Sequence, residues 1–285
     1  VIIAKCHSKI LQAIEEGREV AIHLVAGSKT SVHAPSRTYV EQMQELVGDN
    51  LHVVVDAAQG RFSRSGIRTC LESGWIVMTT GSKFFGGPPF SGAVIFPNRY
   101  DLKDIWTEDL SPLFTQSALK PNHGYPVERQ GLLVRWIAAL TEMENYFAIP
   151  SEMRFSLLKW FEEDAPSLVN SRPELTIIAK SPDDEDLRYR LLQSNLTVIS
   201  FKIEHPKTGS WMSVEELRQL HRSLMKKTEQ GLTLVHLGQP VFLTPNGEIG
   251  ALRIALGGVI MQNFNALSMA GQTESQIRRA LNDML

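Results

Sequence analysis

Over the first hundred residues, short apolar runs rich in β-branched side chains alternate with segments whose apolar residues recur every three to four positions. Ile10, Leu11 and Ile14 fall at helical spacing within 9–16, and Gly17 stands where a C-terminal cap belongs. A strand is predicted over 20–25. The polar turn Gly27-Ser28-Lys29-Thr30-Ser31 follows, then a helix with Val40, Met43, Leu46 and Val47 on one face that ends at Gly48. Residues 51–55 read as a strand of the kind buried on both faces of a parallel sheet, closed by Asp56. A short helix over 62–72, broken by Gly74, leads to a strand over 75–79 and, past a Gly/Pro-rich turn, to another over 92–96. Strands separated by helices predict βαβ units, and so an α/β fold with a mostly parallel sheet and flanking helices.

After Pro97 the pattern changes. Residues 98–128 are irregular and polar, and a long amphipathic helix is predicted over 130–147. Ile149-Pro150 ends that helix and marks a boundary, giving a large domain over 1–149 and a smaller C-terminal α+β domain over 150–285. In the second part the expected elements are helices over 152–169, 184–194, 213–228 and 273–284, and strands over 174–179, 197–203, near 232–236 and 251–256. His236-Leu237-Gly238-Gln239-Pro240-Val241 reads as a structural turn. The acidic run Asp183-Asp184-Glu185-Asp186 places negative charge at a helix N-terminus, where the macrodipole favours it. At the other end, the apolar stretch from Val1 runs straight into Lys5 and a helical pattern, so the chain is expected to begin inside a fold.

Composition narrows the function classes. With 285 residues, 43% of them hydrophobic, the chain can bury a sizeable core. Twenty-nine Lys and Arg against 31 Asp and Glu leave a net charge of −2, which argues against a polybasic nucleic-acid binder and against disorder. Cys6 and Cys70 are too few for a disulfide scaffold or a thiolate metal cage, so a reducing, cytoplasmic setting is expected. Charged residues interrupt every apolar run before it reaches membrane-spanning length, and the eight histidines lack ligand spacing. No metal, membrane or nucleic acid is therefore expected as a partner. Ala26-Gly27-Ser28-Lys29-Thr30 lacks the first glycine of a P-loop, and neither G-x-S-x-G nor G-x-G-x-x-G occurs.

In open parallel sheets ligands collect at the carboxyl ends of strands. Three such ends carry chemistry: Asp56-Ala57-Ala58-Gln59-Gly60, Thr80-Gly81-Ser82-Lys83, and the loop Ser28-Lys29-Thr30. A carboxylate at one strand end and a lysine flanked by small hydroxyl residues at the next suit pyridoxal phosphate. That cofactor needs a carboxylate to keep its pyridine nitrogen protonated, a lysine to hold it and move protons, and hydroxyls with backbone N–H groups for its phosphate. Arg61, Arg64 and Arg68 cluster nearby and read as a solvated helix face rather than a site for an acidic substrate.

The run from Val53 through Asp56 to Gln59, followed by Thr80-Gly81-Ser82-Lys83 and a Gly/Pro turn, resembles the fold-type I pyridoxal-phosphate enzymes, closest to the class V aminotransferase and cysteine desulfurase group. The resemblance implies that Asp56 pairs with the pyridine nitrogen, that Gln59 contacts the ring hydroxyl, and that Lys83 forms the Schiff base. It further implies that Thr80 and Ser82 contact the phosphate, and that Arg253 in Leu252-Arg253-Ile254-Ala255-Leu256 grips the substrate carboxylate. Ser82 stands where the family has a histidine, Gly86-Gly87 adds a residue to the turn, and Ser28 stands where it has an asparagine. The family's glycine-rich phosphate turn and ring-stacking aromatic are expected upstream of Val1. Both cysteines precede Lys83, so desulfuration through a protein persulfide is not expected. An aminotransferase acting on an amino acid as its small-molecule substrate, in the form of a homodimer, is the leading expectation. A lyase or decarboxylase, and a non-catalytic protein on a degenerate fold, remain open.

Overall fold

The computed structural model describes residues 2–30, 33–100, 130–178, 197–224 and 237–284. They divide into two units. The first holds 2–26, 33–100 and 130–144, and the second holds 27–30, 145–178, 197–224 and 237–284.

In the first unit β1 (Val20–Val25), β2 (Leu51–Ala57), β3 (Ile76–Thr80) and β4 (Gly92–Ile95) form one sheet in that order. β1, β2 and β3 are parallel, with Val25 opposite Asp56 and Asp56 opposite Met78, whereas β4 runs antiparallel to β3. The connecting helices are α1 (Ile2–Glu15), α2 (Arg37–Val47) and α3 (Arg64–Glu72), and the unit also takes most of α4 (Gln130–Ala148). Helix α1 starts earlier than its periodicity indicates, because the apolar stretch before Lys5 is itself helical. The N-terminus of α2 is capped by Ser36, which accepts from the Tyr39 N–H at 3.2 Å, and that of α3 by Ser63, which accepts from the Gly66 N–H at 3.0 Å. The core gathers Leu24, Val40, Met43, Cys70, Trp75 and Val77 around the alternate β2 residues Leu51, Val53, Val55 and Ala57.

Two expectations are corrected here. Strand β2 is not buried on both faces: His52, Val54 and Asp56 are only half-buried, so the strand alternates. Asp56 does not close the strand either. It lies within β2, which continues to Ala57.

The second unit is built on an antiparallel sheet of order β5-β6-β8-β7, from β5 (Leu175–Ile177), β6 (Val198–Ile203), β7 (Gly238–Phe242) and β8 (Gly250–Ala255). Helices α5 (Ser151–Asn170), α6 (Val214–Leu224), α7 (Gly258–Met269) and α8 (Glu274–Met284) belong to it. Its core includes Leu157, Phe161, Ile199, Leu217, Leu252 and Met261. The segment read as a turn around Gly238 is instead the edge strand β7, and edge pairing is where Gly and Pro are tolerated in a sheet. Helix α7 has no counterpart among the expected elements. The expected helix over 184–194 and strand near 232–236 lie outside the described residues, as does nearly all of the irregular 98–128 segment.

Candidate functional site

Parallel pairing brings the carboxyl ends of β1, β2 and β3 to one edge of the first sheet, and the residues singled out at β2 and β3 sit there. The Asp56 Oδ1 accepts from the Ala58 N–H at 3.0 Å, which turns the chain out of the strand. Its other oxygen takes no hydrogen bond among the described residues. The Asp56 carbonyl accepts from the Ala26 N–H at 2.9 Å, tying this end to the end of β1. Gln59, half-buried, accepts at its carbonyl from the Phe84 N–H at 3.2 Å. That bond joins the loop after β2 to the loop after β3, one residue beyond Lys83.

The loop after β3 is closed on itself. The Gly81 N–H donates to the Ser91 carbonyl at 3.0 Å and the Gly87 N–H donates to the Gly81 carbonyl at 2.9 Å. Thr80 is buried, and its hydroxyl lies 3.0 Å from the Ser91 carbonyl and 2.8 Å from the Ser82 hydroxyl. The Ser82 N–H donates to the same Thr80 oxygen at 3.2 Å. Thr80 thus builds the turn that presents Ser82, whose own side chain is only half-buried. Lys83 is exposed, while Phe84 and Phe85 beside it are buried and meet edge to face at 5.2 Å. The loop is therefore anchored by two rings and projects the one residue between Ser82 and Phe84 that carries an amine.

Four residues support this loop in ways that escaped the sequence reading. A Cβ on Gly81 would stand 2.5 Å from the Ala139 Cβ, and one on Gly87 would stand 2.8 Å from the Ala139 Cα, so both glycines are needed for the loop to lie on α4. Ala139 itself is fully buried, and its neighbour Ala138 is just as small, so no local signal marks it out. Arg61 is the fourth and corrects an expectation: it precedes α3 and is buried, with its guanidinium 5.4 Å from the Phe84 ring centre, so it is not part of a solvated face. Arg64 and Arg68 are exposed on α3 as expected.

In the second unit Arg253 lies on β8 between Ser200 of β6 and Gly238 of β7. It is partly buried, and that burial pulls its pKa below the usual arginine value; no described carboxylate pairs with it. Its Nη1 lies 3.5 Å from the Lys29 carbonyl. The Ser200 hydroxyl is buried without a hydrogen-bond partner among the described residues. In the Ser28-Lys29-Thr30 turn the Thr30 N–H donates to the Ser28 hydroxyl at 3.1 Å, a local turn bond, and Lys29 is exposed. Among the described residues no group of three or more His, Cys, Asp or Glu could hold a metal, and no helix is long and apolar enough to cross a membrane.

No family model and no curated protein matches the chain. Solved structures do. A NifS-like protein matches with a TM-score of 0.50 and 14% identity over 92% of this chain and 61% of its own. Oryza sativa TDC with PLP matches at 0.47 and 15% identity, over 99% of this chain and 52% of its own. Catharanthus roseus tryptophan decarboxylase in complex with L-tryptophan matches at 0.48 and 15% identity, over 99% and 53%. The chain thus spans between half and two thirds of the length of these structures. The first of them carries the fold assignment: this chain has the α/β fold of the fold-type I pyridoxal-phosphate enzymes.

Proposed function

We propose that the chain is part of a pyridoxal-phosphate-dependent enzyme acting on an amino acid, and specifically of an aminotransferase. The observation that carries the reading is the pairing of two strand ends. A half-buried carboxylate with one unoccupied oxygen lies one residue before the end of β2, an exposed lysine stands in the anchored loop after β3, and the Phe84-to-Gln59 hydrogen bond ties the two loops together. The donor set fits the cofactor: an anion for a pyridinium, an amine for an aldehyde and hydroxyls for a phosphate. Bound pyridoxal phosphate supplies an electron sink that stabilises negative charge at the substrate α-carbon.

In this reading the second oxygen of Asp56 would keep a proton on the pyridine nitrogen, and Gln59 would contact the ring hydroxyl. Ser82 would offer a hydroxyl to the phosphate, while Thr80, whose O–H is given to the Ser91 carbonyl, would take part by holding the turn. Lys83 would hold the cofactor through Nζ, and the same atom would carry a proton to or from the substrate. Arg253 binds the substrate carboxylate by a two-pronged hydrogen bond. The cofactor-binding part is 1–149 and the smaller domain 150–285. A homodimer in the cytoplasm completes the reading. The dimer is supported by Leu133, Val134, Ile137 and Leu140, which form an exposed apolar row along α4. Light scattering that returns a monomer at working concentration overturns the dimer.

Incubation with pyridoxal phosphate, reduction with borohydride and peptide mapping test the anchor. A single pyridoxyl adduct on Lys83, absent in Lys83→Ala, is expected. An adduct spread over surface lysines overturns the reading. With turnover in hand, a keto acid product identifies transamination, and carbon dioxide identifies decarboxylation.

A further inference from the structure

Gly238 stands directly opposite Arg253 in the β7–β8 pair, one step from a shift in register before Val241. Its backbone does not explain the glycine, because its φ is not in the left-handed region where glycines such as Gly247 sit. The space does. A Cβ on Gly238 would stand 2.3 Å from the Arg253 Nε, 2.4 Å from its Cγ and 2.9 Å from its Cδ. The Arg253 stem therefore lies across the bare Cα of Gly238. These atoms are not a flexible tip: Cγ is the first carbon beyond the Cβ, so any side chain at 238 forces Arg253 into another rotamer. Directly opposite neighbours in a sheet share a face, which makes this crowding inherent in the register rather than incidental.

We propose that Gly238 is a positioning residue for Arg253, setting where its guanidinium presents its donors to a carboxylate-bearing amine; this rests on the reading of Arg253 given above. Three observations converge on it. The guanidinium is partly desolvated, pairs with no described carboxylate, and spends one donor on a long contact to the Lys29 carbonyl. On the other flank the register places Ser200, whose buried hydroxyl is also unpartnered among the described residues. Unpaired buried polar groups are costly, and a bound carboxylate is an acceptor that satisfies donors. The fork is rigid and planar, so its usefulness depends on direction, and the stem resting on Gly238 fixes that direction.

The test has two parts. The first is a thermal unfolding cycle of the whole chain with Gly238→Ala, Arg253→Ala and both together. Gly238→Ala is expected to lower the midpoint by several degrees when Arg253 is present and to have little effect once the Arg253 stem is gone. An equal loss in both backgrounds overturns the proposal, because the strand rather than the arginine would then require glycine. If Gly238→Ala alone does not fold, the double variant is expected to fold, and its failure to do so overturns the proposal as well.

The second part titrates pyridoxal-phosphate-loaded protein with L-alanine against ethylamine and L-serine against ethanolamine, following cofactor absorbance. Gly238→Ala is expected to raise the half-saturating concentration of the amino acid about tenfold and to leave that of the matched amine unchanged. Carboxylate preference kept in Gly238→Ala but lost in Arg253→Ala overturns the role of Gly238 and leaves Arg253 standing. Preference kept in Arg253→Ala, or absent from the unmodified chain, removes the reading of Arg253 and this proposal with it.

Discussion

Lys83 sits in a loop and Arg253 sits in a strand, and the two sheets hold their cations by different means. In the first unit, parallel pairing gathers strand ends, so residues far apart in sequence reach one edge without any need for side chains to touch. The lysine there is exposed, and what fixes it lies underneath: Phe84, Phe85, Ala139 and two glycines. In the second unit, antiparallel pairing puts the arginine between two cross-strand neighbours, and its own stem is the part that is fixed. A loop-borne group depends on its foundation. A strand-borne group depends on its neighbours in register.

The sharpest way to break that contrast is Phe85→Ala. Phe85 is fully buried and stacks edge to face with Phe84 and Phe62, so truncation costs about 3–5 kcal/mol. Urea unfolding measures the loss. The pyridoxyl adduct on Lys83 is expected to fall with it, and a full adduct yield in a folded Phe85→Ala protein contradicts the idea that the rings anchor the loop. Ala139→Leu comes next. It inserts a branched side chain where Gly81 and Gly87 already approach within van der Waals limits, at a cost of about 1–3 kcal/mol. Here the adduct is expected to suffer more than the stability, because the crowding falls on the loop rather than on the sheet.

The same contrast decides what could be read from the sequence. Strands β1 to β3 and their helices were legible, since apolar runs between amphipathic segments have few other ways to fold, and Asp56 and Lys83 followed from looking at strand ends. The loop's supports were not legible. Ala139 lies more than fifty residues from Gly81, and nothing local in either says that they touch. In the second unit β7 was misread because Gly238 and Pro240 are turn residues, and only its place at the sheet edge makes them acceptable. Helix α7 was missed because its capping position is Gly257, which offers no side chain, and it opens on Gly258 and β-branched residues. Arg253 was singled out through the resemblance of its strand to that of a family, but its crowding against Gly238 exists only once β7 and β8 are paired.

Ser63→Ala probes the first unit from its other side. Its hydroxyl caps α3, which follows the Gln59 loop, so its removal costs about 1 kcal/mol. Adduct yield at Lys83 is expected to stay unchanged, because the loop after β2 is held by backbone bonds to Ala57 and Phe84. A lost adduct at this small cost would mean that the helix start, and not the strand end, sets the loop.

The smallest effect belongs to an arginine that contrasts with Arg253 inside the second unit. Arg278 donates from Nε to Asp164 Oδ2 at 2.8 Å and from Nη2 to Oδ1 at 2.5 Å, and it also reaches Glu163 at 3.0 Å. These bonds hold the Asp164 carboxyl below its ordinary pKa, against the opposing pull of burial. A carboxylate depressed in the folded state contributes stability that is present above its unfolded value of about 3.9 and is lost as pH falls through the folded value. Asp164→Asn should therefore lower the urea midpoint slightly at pH 7, and the gap from the unmodified chain should close as the pH drops below that range. A gap that persists unchanged in acid would show that the geometry of the bonds matters and the charge does not. With its fork spent on two carboxylates, Arg278 ties α8 to α5 and has little left for a ligand; Arg253, lying on Gly238 with no carboxylate of its own among the described residues, spends one donor on the Lys29 carbonyl and keeps the others in reserve.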